Sequence, residues 1–151
     1  MRDILFLCTG NYYRSRYAEA LFNHEAARLG LDWHAFSRGL AIHLAPPGLS
    51  PHTRRRLIER GIPSELTGSD PVQVWEKDLQ RAVRIIALKE TEHRPLMKYL
   101  HPAWADRIGY WEINDLDGSA PEVALGAIEA QVAALLDELE SEAPSQTRLG
   151  S

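Results

Sequence analysis

A chain of 151 residues, 44% of them hydrophobic, has the length of one ordinary domain and can bury a core without metal or disulfide staples. Its formal charge of −4 excludes the dominant basic face of an electrostatic nucleic-acid binder. The single cysteine excludes an internal disulfide and leaves one thiol as a candidate reagent.

In chain order, the apolar run Ile4–Leu7 predicts a strand; it is too short for a signal-peptide core and stops at the turn-like Thr9-Gly10-Asn11. Arg14 to Leu29 places Tyr17, Ala18, Leu21, Phe22, Ala26 and Leu29 at three- and four-residue spacing, the stripe of an amphipathic helix, and Gly30 stops it. Trp33–Ser37 reads as a second strand. After the loop Pro46-Pro47-Gly48, Ser50 caps and Pro51 opens a helix running through Leu57 and Ile58 to Gly61, whose Arg54-Arg55-Arg56 run reads as a solvated face. Asp70-Pro71 marks another loop. Val83–Leu88, rich in β-branched residues, predicts a third strand and Tyr110–Ile113 a fourth. From Pro121 a final helix lines up Leu125, Ile128, Val132, Leu135, Leu136 and Leu139 as core.

This alternation predicts an α/β fold with a parallel sheet covered on both faces. One domain is expected over residues 1–140, followed by a disordered polar tail over 141–151. No stretch approaches a membrane span, so a cytoplasmic protein with no membrane or nucleic-acid partner is expected.

Open α/β sheets hold their sites at the C-terminal edge of the strands, where Cys8 stands. Arg14 opens the following helix, so an anion over Cys8 would meet loop amides, a helix N-terminus and a guanidinium together. The same field stabilises a thiolate, the nucleophilic form. Gly10 would let the backbone approach the ligand and take a positive φ, Asn11 tolerates a left-handed conformation, and the Ser15 hydroxyl could donate to the thiolate.

The run Cys8-Thr9-Gly10-Asn11-Tyr12-Tyr13-Arg14-Ser15, leading into Ala18-Glu19-Ala20 and followed later by Ser37-Arg38-Gly39, resembles the Cys-x5-Arg-Ser loop of low-molecular-weight protein tyrosine phosphatases. The resemblance implies a four-stranded parallel sheet in a three-layer, flavodoxin-like architecture. It also implies a metal- and cofactor-free phosphatase acting on phosphate monoesters, phosphotyrosyl protein foremost. Cys8 would form a phosphocysteine, Arg14 and the loop from Thr9 to Ser15 would hold the phosphoryl oxygens, and inorganic phosphate would leave.

The family's general acid is an Asp in a late loop, usually followed by Pro. Asp115 aligns with it, although Leu116 replaces the Pro, and Asp117 is the rival. Tyr13 stands where many members carry a second Cys. Arg16 replaces a common Pro and would add positive charge near the mouth or lie on the helix surface. Tyr12 replaces an aliphatic residue, and the aromatic wall of the pocket falls around Ile42-His43. In Leu88-Lys89-Glu90-Thr91-Glu92-His93 a familiar supporting Asp is missing.

Six histidines show no paired ligand spacing, so no metal is expected. Tyr12 and Tyr13 read as exposed, and Trp75, Trp104 and Trp111 as packing residues. Two other functions compete: a non-catalytic phosphate- or phosphoprotein-binding module, and an arsenate reductase which, with one cysteine, would need an external thiol.

Overall fold

The computed structural model describes residues 1–142. Strands β1 (Arg2–Cys8), β2 (Trp33–Gly39), β3 (Arg84–Ala87) and β4 (Gly109–Tyr110) form one parallel sheet in the order β2-β1-β3-β4. Among the described residues five α-helices surround it: α1 (Arg14–Leu29), α2 (Pro51–Glu59), α3 (Glu76–Arg81), α4 (Glu90–Leu100) and α5 (Pro121–Glu142). Alternation along β1 builds the three layers, because successive side chains leave a strand on opposite faces. Ile4, Phe6 and Cys8 share one core with Tyr17, Leu21, Ile128 and Val132 of α1 and α5. Leu5 and Leu7 share the other with Leu79 of α3 and Met97 of α4.

Several elements follow local rules. Helix α1 ends at Gly30, whose φ of 69° only glycine adopts freely and whose N–H reaches back to Ala26 and Ala27. Ser50 caps α2 by accepting from the His52 amide at 3.2 Å, and Pro51 occupies its first turn. Arg56 of α2 pairs with Glu129 of α5 at 2.8 Å, tying the helices of that layer together. The fourth strand is shorter than the sequence suggests. Beyond Tyr110 the pairing persists as single hydrogen bonds, from the Trp111 amide to the Ala87 carbonyl (2.9 Å) and from the Ile113 amide to that of Leu88 (2.8 Å).

Helices α3 and α4 have no counterpart in the sequence reading. The first is six residues long, too short to show a period. The second contains Pro95 and buries only His93 and Met97, too sparse a face to register as a stripe. The expected polar tail begins inside α5, which includes Ser141 and Glu142; positions 143–151 lie outside the described residues. Among the described residues no helix is long and apolar enough to cross a membrane.

Candidate active site

Because β1 is flanked by β2 and β3, Cys8 ends a central strand, and the loop to α1 leaves from the interior of the sheet. The loop's carbonyls are bonded away from its concavity. Cys8 O accepts from the Leu40 amide (2.9 Å), Thr9 O from Ala41 (2.8 Å), Tyr12 O from Ser50 (3.0 Å) and Tyr13 O from the Thr53 hydroxyl (3.0 Å). In a planar trans peptide the N–H points opposite to its C=O, so the following amides turn inward. No side chain caps α1 and no acid lies in its first turn, which leaves that N-terminus open to an anion.

Asn11 holds the loop's left-handed position, with φ of 50°. Its Nδ2 donates to Ser15 Oγ and Ser37 Oγ, each at 2.9 Å, and its Oδ1 accepts from the Val72 amide at 2.8 Å. Gly10, contrary to expectation, is not at a positive φ. It is needed for space: a Cβ there would lie 2.5 Å from Ala45 Cβ. Ser15 Oγ sits 2.9 Å from Cys8 Sγ. Since that oxygen already accepts from Asn11, its own hydrogen is free for the sulfur.

Arg14 is buried and gripped from two sides. Its Nη1 donates to Glu92 Oε1 (3.1 Å) and to the Ile113 carbonyl (2.9 Å), while Nη2 donates to Glu92 Oε2 (2.8 Å). Glu92 also accepts from the Thr9 hydroxyl, so one carboxylate ties both ends of the loop. The Thr9 hydroxyl is thereby committed to Glu92. Burial opposes the charge on Glu92, but hydrogen bonds from His93, Arg14 and Thr9 outweigh it and hold the carboxyl well below its usual range. His93 accepts from the Lys89 amide at Nδ1 (3.0 Å) and places Nε2 3.1 Å from the Thr9 hydroxyl. Burial lowers its basicity and keeps the ring neutral.

A carboxylate supporting Arg14, expected to be missing after the third strand, is thus present as Glu92, in the first turn of α4. Sequence reading missed it, with His93, because the helix that carries them was not legible.

Asp115 lies 3.5 Å from Arg14 Nη2, with its side chain partly open to solvent. Its Oδ1 accepts from the Leu116 amide at 2.9 Å, a bond that the more usual Pro could not make. Asp117 lines the same cleft without a contact to Arg14. The cleft, about 520 Å³, is walled by Tyr12, Tyr13, Leu44, Ala45, Pro46 and Leu116. The wall expected at Ile42-His43 is displaced a few residues onward, because those two residues lie in a short 3₁₀ turn, Ile42–Leu44, that presents Leu44 instead.

Three further expectations change. Tyr13 is 4% exposed and Tyr12 half-buried, so neither is an open surface tyrosine. Burial, with Asp115 nearby, pushes the Tyr13 hydroxyl up to about 12. Arg16 is buried beneath the loop and lies neither at the mouth nor on the helix surface.

The family model described as low molecular weight phosphotyrosine protein phosphatase matches residues 3–145. The chain is 31% identical over 107 residues to a protein-arginine-phosphatase from Bacillus subtilis, covering 70% of this chain and 67% of that protein. It is 33% identical over 118 residues to an arsenate reductase from Brevibacillus brevis, covering 78% of each. The crystal structure of a low molecular weight protein tyrosine phosphatase from T. tengcongensis superposes with a TM-score of 0.73 at 29% identity, covering 94% of this chain and 99% of that one. With the nucleophile loop, the sheet order and the match over nearly its whole length in agreement, the chain belongs to the low molecular weight phosphotyrosine protein phosphatase family.

Proposed function

We propose that this phosphatase hydrolyses phosphorylated protein side chains through a phosphocysteine on Cys8, with Asp115 as general acid and base. The observation that carries the reading is the convergence of the Cys8 thiol, the Arg14 guanidinium and Asp115 on one cleft, with the buried Ser15 hydroxyl 2.9 Å behind the sulfur.

The Cys8 thiolate attacks phosphorus and the ester P–O bond breaks, while Asp115 gives its proton to the leaving oxygen. The inward amides of Thr9, Gly10, Tyr13 and Arg14, with the Arg14 guanidinium, stabilise charge on the three non-bridging oxygens. Water then attacks the phosphocysteine, losing its proton to Asp115. The S–P bond breaks, Ser15 stabilises the returning thiolate, and inorganic phosphate leaves.

The walls of Tyr12, Tyr13, Leu44 and Leu116 suit a flat aromatic leaving group, which favours phosphotyrosine. Phosphoarginine is the second reading: the Bacillus subtilis relative is named for it, and the two carboxylates of Asp115 and Asp117 in the cleft suit a guanidinium. Arsenate reduction by an internal cysteine relay is incompatible with a single cysteine.

Hydrolysis of p-nitrophenyl phosphate and of phosphotyrosyl and phosphoarginyl peptides, across roughly pH 5 to 8, tests the assignment. Cys8→Ser is expected to be inactive. Asp115→Asn should lose about 10² to 10⁴ in kcat, and Asp117→Asn should keep activity within a few fold. A larger loss in Asp117→Asn would move the acid to that residue. Phosphate binding with no turnover above Cys8→Ser would make the chain a binding module.

A further inference from the structure

The guanidinium of Arg16 takes no part in the chemistry above, although it follows the nucleophile loop directly. It is 1% exposed, yet among the described residues no carboxylate pairs with it directly. Its donors go to three separate segments instead. Nη1 reaches the Asn11 carbonyl at 3.2 Å and the Gly48 carbonyl at 3.3 Å, Nη2 the Gly68 carbonyl at 2.7 Å, and Nε the Thr67 hydroxyl at 2.7 Å.

The Asn11 carbonyl is the bond with a consequence for the site. The Asn11–Tyr12 peptide is trans, so its N–H points opposite to its C=O. A carbonyl drawn toward the buried Arg16 turns the Tyr12 N–H toward the cleft. Neighbouring loop carbonyls are held by the backbone amides of Leu40, Ala41 and Ser50; at Asn11 the donor is a cation.

That cation is itself held. The Thr67 hydroxyl, which accepts from Arg16 Nε, donates to Glu19 Oε1 at 2.7 Å. The Ser37 hydroxyl also donates to Glu19 Oε1 at 2.7 Å and accepts from Asn11 Nδ2. Asn11 is therefore gripped at its carbonyl through Arg16 and at its side chain through Ser37, and both paths end on Glu19.

We propose that Arg16 is a positioning residue for anion binding, aiming the Tyr12 amide at the phosphate by holding the Asn11 carbonyl, with Thr67 and Glu19 fixing the guanidinium. The inference rests on residues 8–15 being the phosphate site, and does not require turnover.

The test compares wild type, Arg16→Gln, Arg16→Lys, Thr67→Val and Leu139→Ala. Inorganic phosphate affinity is measured by calorimetry, kcat and KM with p-nitrophenyl phosphate, and folding by circular dichroism and Tm. Leu139, eighteen positions into α5 and so about 27 Å along it, is a buried control for lost stability alone. Arg16→Gln is expected to weaken phosphate binding and raise KM by about tenfold. Arg16→Lys, which keeps the charge and part of the bonding, should recover some of that loss. Leu139→Ala should lower Tm with phosphate affinity unchanged. Wild-type affinity in folded Arg16→Gln, or an equal loss in Leu139→Ala, overturns the proposal.

If Arg16→Gln does not fold, Arg16→Lys and Thr67→Val decide: each should weaken phosphate by about threefold or more, and wild-type affinity in both overturns the claim. A wild type that binds phosphate without hydrolysing the ester would sink the phosphatase reading while leaving the Arg16 comparison standing. A wild type that binds no phosphate ends both.

Discussion

Glu92 spends both carboxylate oxygens on Arg14 and one of them also on Thr9, residues at the two ends of a loop far away in sequence. Glu92→Gln keeps the shape but removes the charge and one acceptor. It is expected to fold and to lose about tenfold or more in kcat, measured with p-nitrophenyl phosphate; wild-type kcat would mean that Ile113 alone holds Arg14. Tyr13 makes the opposite case. Its hydroxyl is buried with no partner among the described residues, a state that costs about 1 to 3 kcal/mol. Tyr13→Phe should therefore raise Tm, and a lowered Tm would show that the hydroxyl has a partner after all. Cys8, Asn11, Arg14 and Ser15 were legible in the sequence because their spacing sits between an apolar strand and an amphipathic helix, which places them together at one strand-to-helix junction. Arg16 was not: a charged residue beside an anion site reads as surface, and the carbonyls of Gly48 and Gly68 that bury it belong to loops whose approach no local pattern records.

Helix α1 is the element the sequence describes most fully, since its apolar stripe, its open N-terminus and its Gly30 stop are all local. What its pattern omits is Glu19, which crosses to Ser37 of β2 and to Thr67. Burial raises the Glu19 carboxyl from its usual 4.5 to about 7. The folded protein then binds more protons than the unfolded chain between these values. The contribution to stability is fully present below about pH 4.5 and is lost as pH rises through about 7. Urea denaturation across that window should show stability falling with pH, and Glu19→Gln should flatten the slope; an unchanged slope would remove Glu19 as its source. Helix α4 is the contrasting element. Pro95 and a buried face of two residues hide its period, and the loss of that one helix from the sequence reading is why Glu92 and His93 were missed together.

At the scale of the molecule, the order β2-β1-β3-β4 puts Cys8 on a central strand with a core on each face. The loops at that edge then bring Asp115 and Leu44 to the same cleft. The α/β class, the four strands and the long helices follow from apolar runs and periodicity. Which loops meet over Cys8 follows from sheet order, which local patterns leave open, so the cleft wall was placed a few residues too early. The central claim is that Cys8 carries the phosphoryl group between the two halves of the reaction. Rapid acid quench of Asp115→Asn during turnover of p-nitrophenyl phosphate, followed by mass spectrometry, tests it most directly. One added phosphoryl group is expected on the peptide containing Cys8, and none on that peptide in Cys8→Ala; turnover with the peptide unmodified, or a phosphoryl group on another residue, would overturn the assignment.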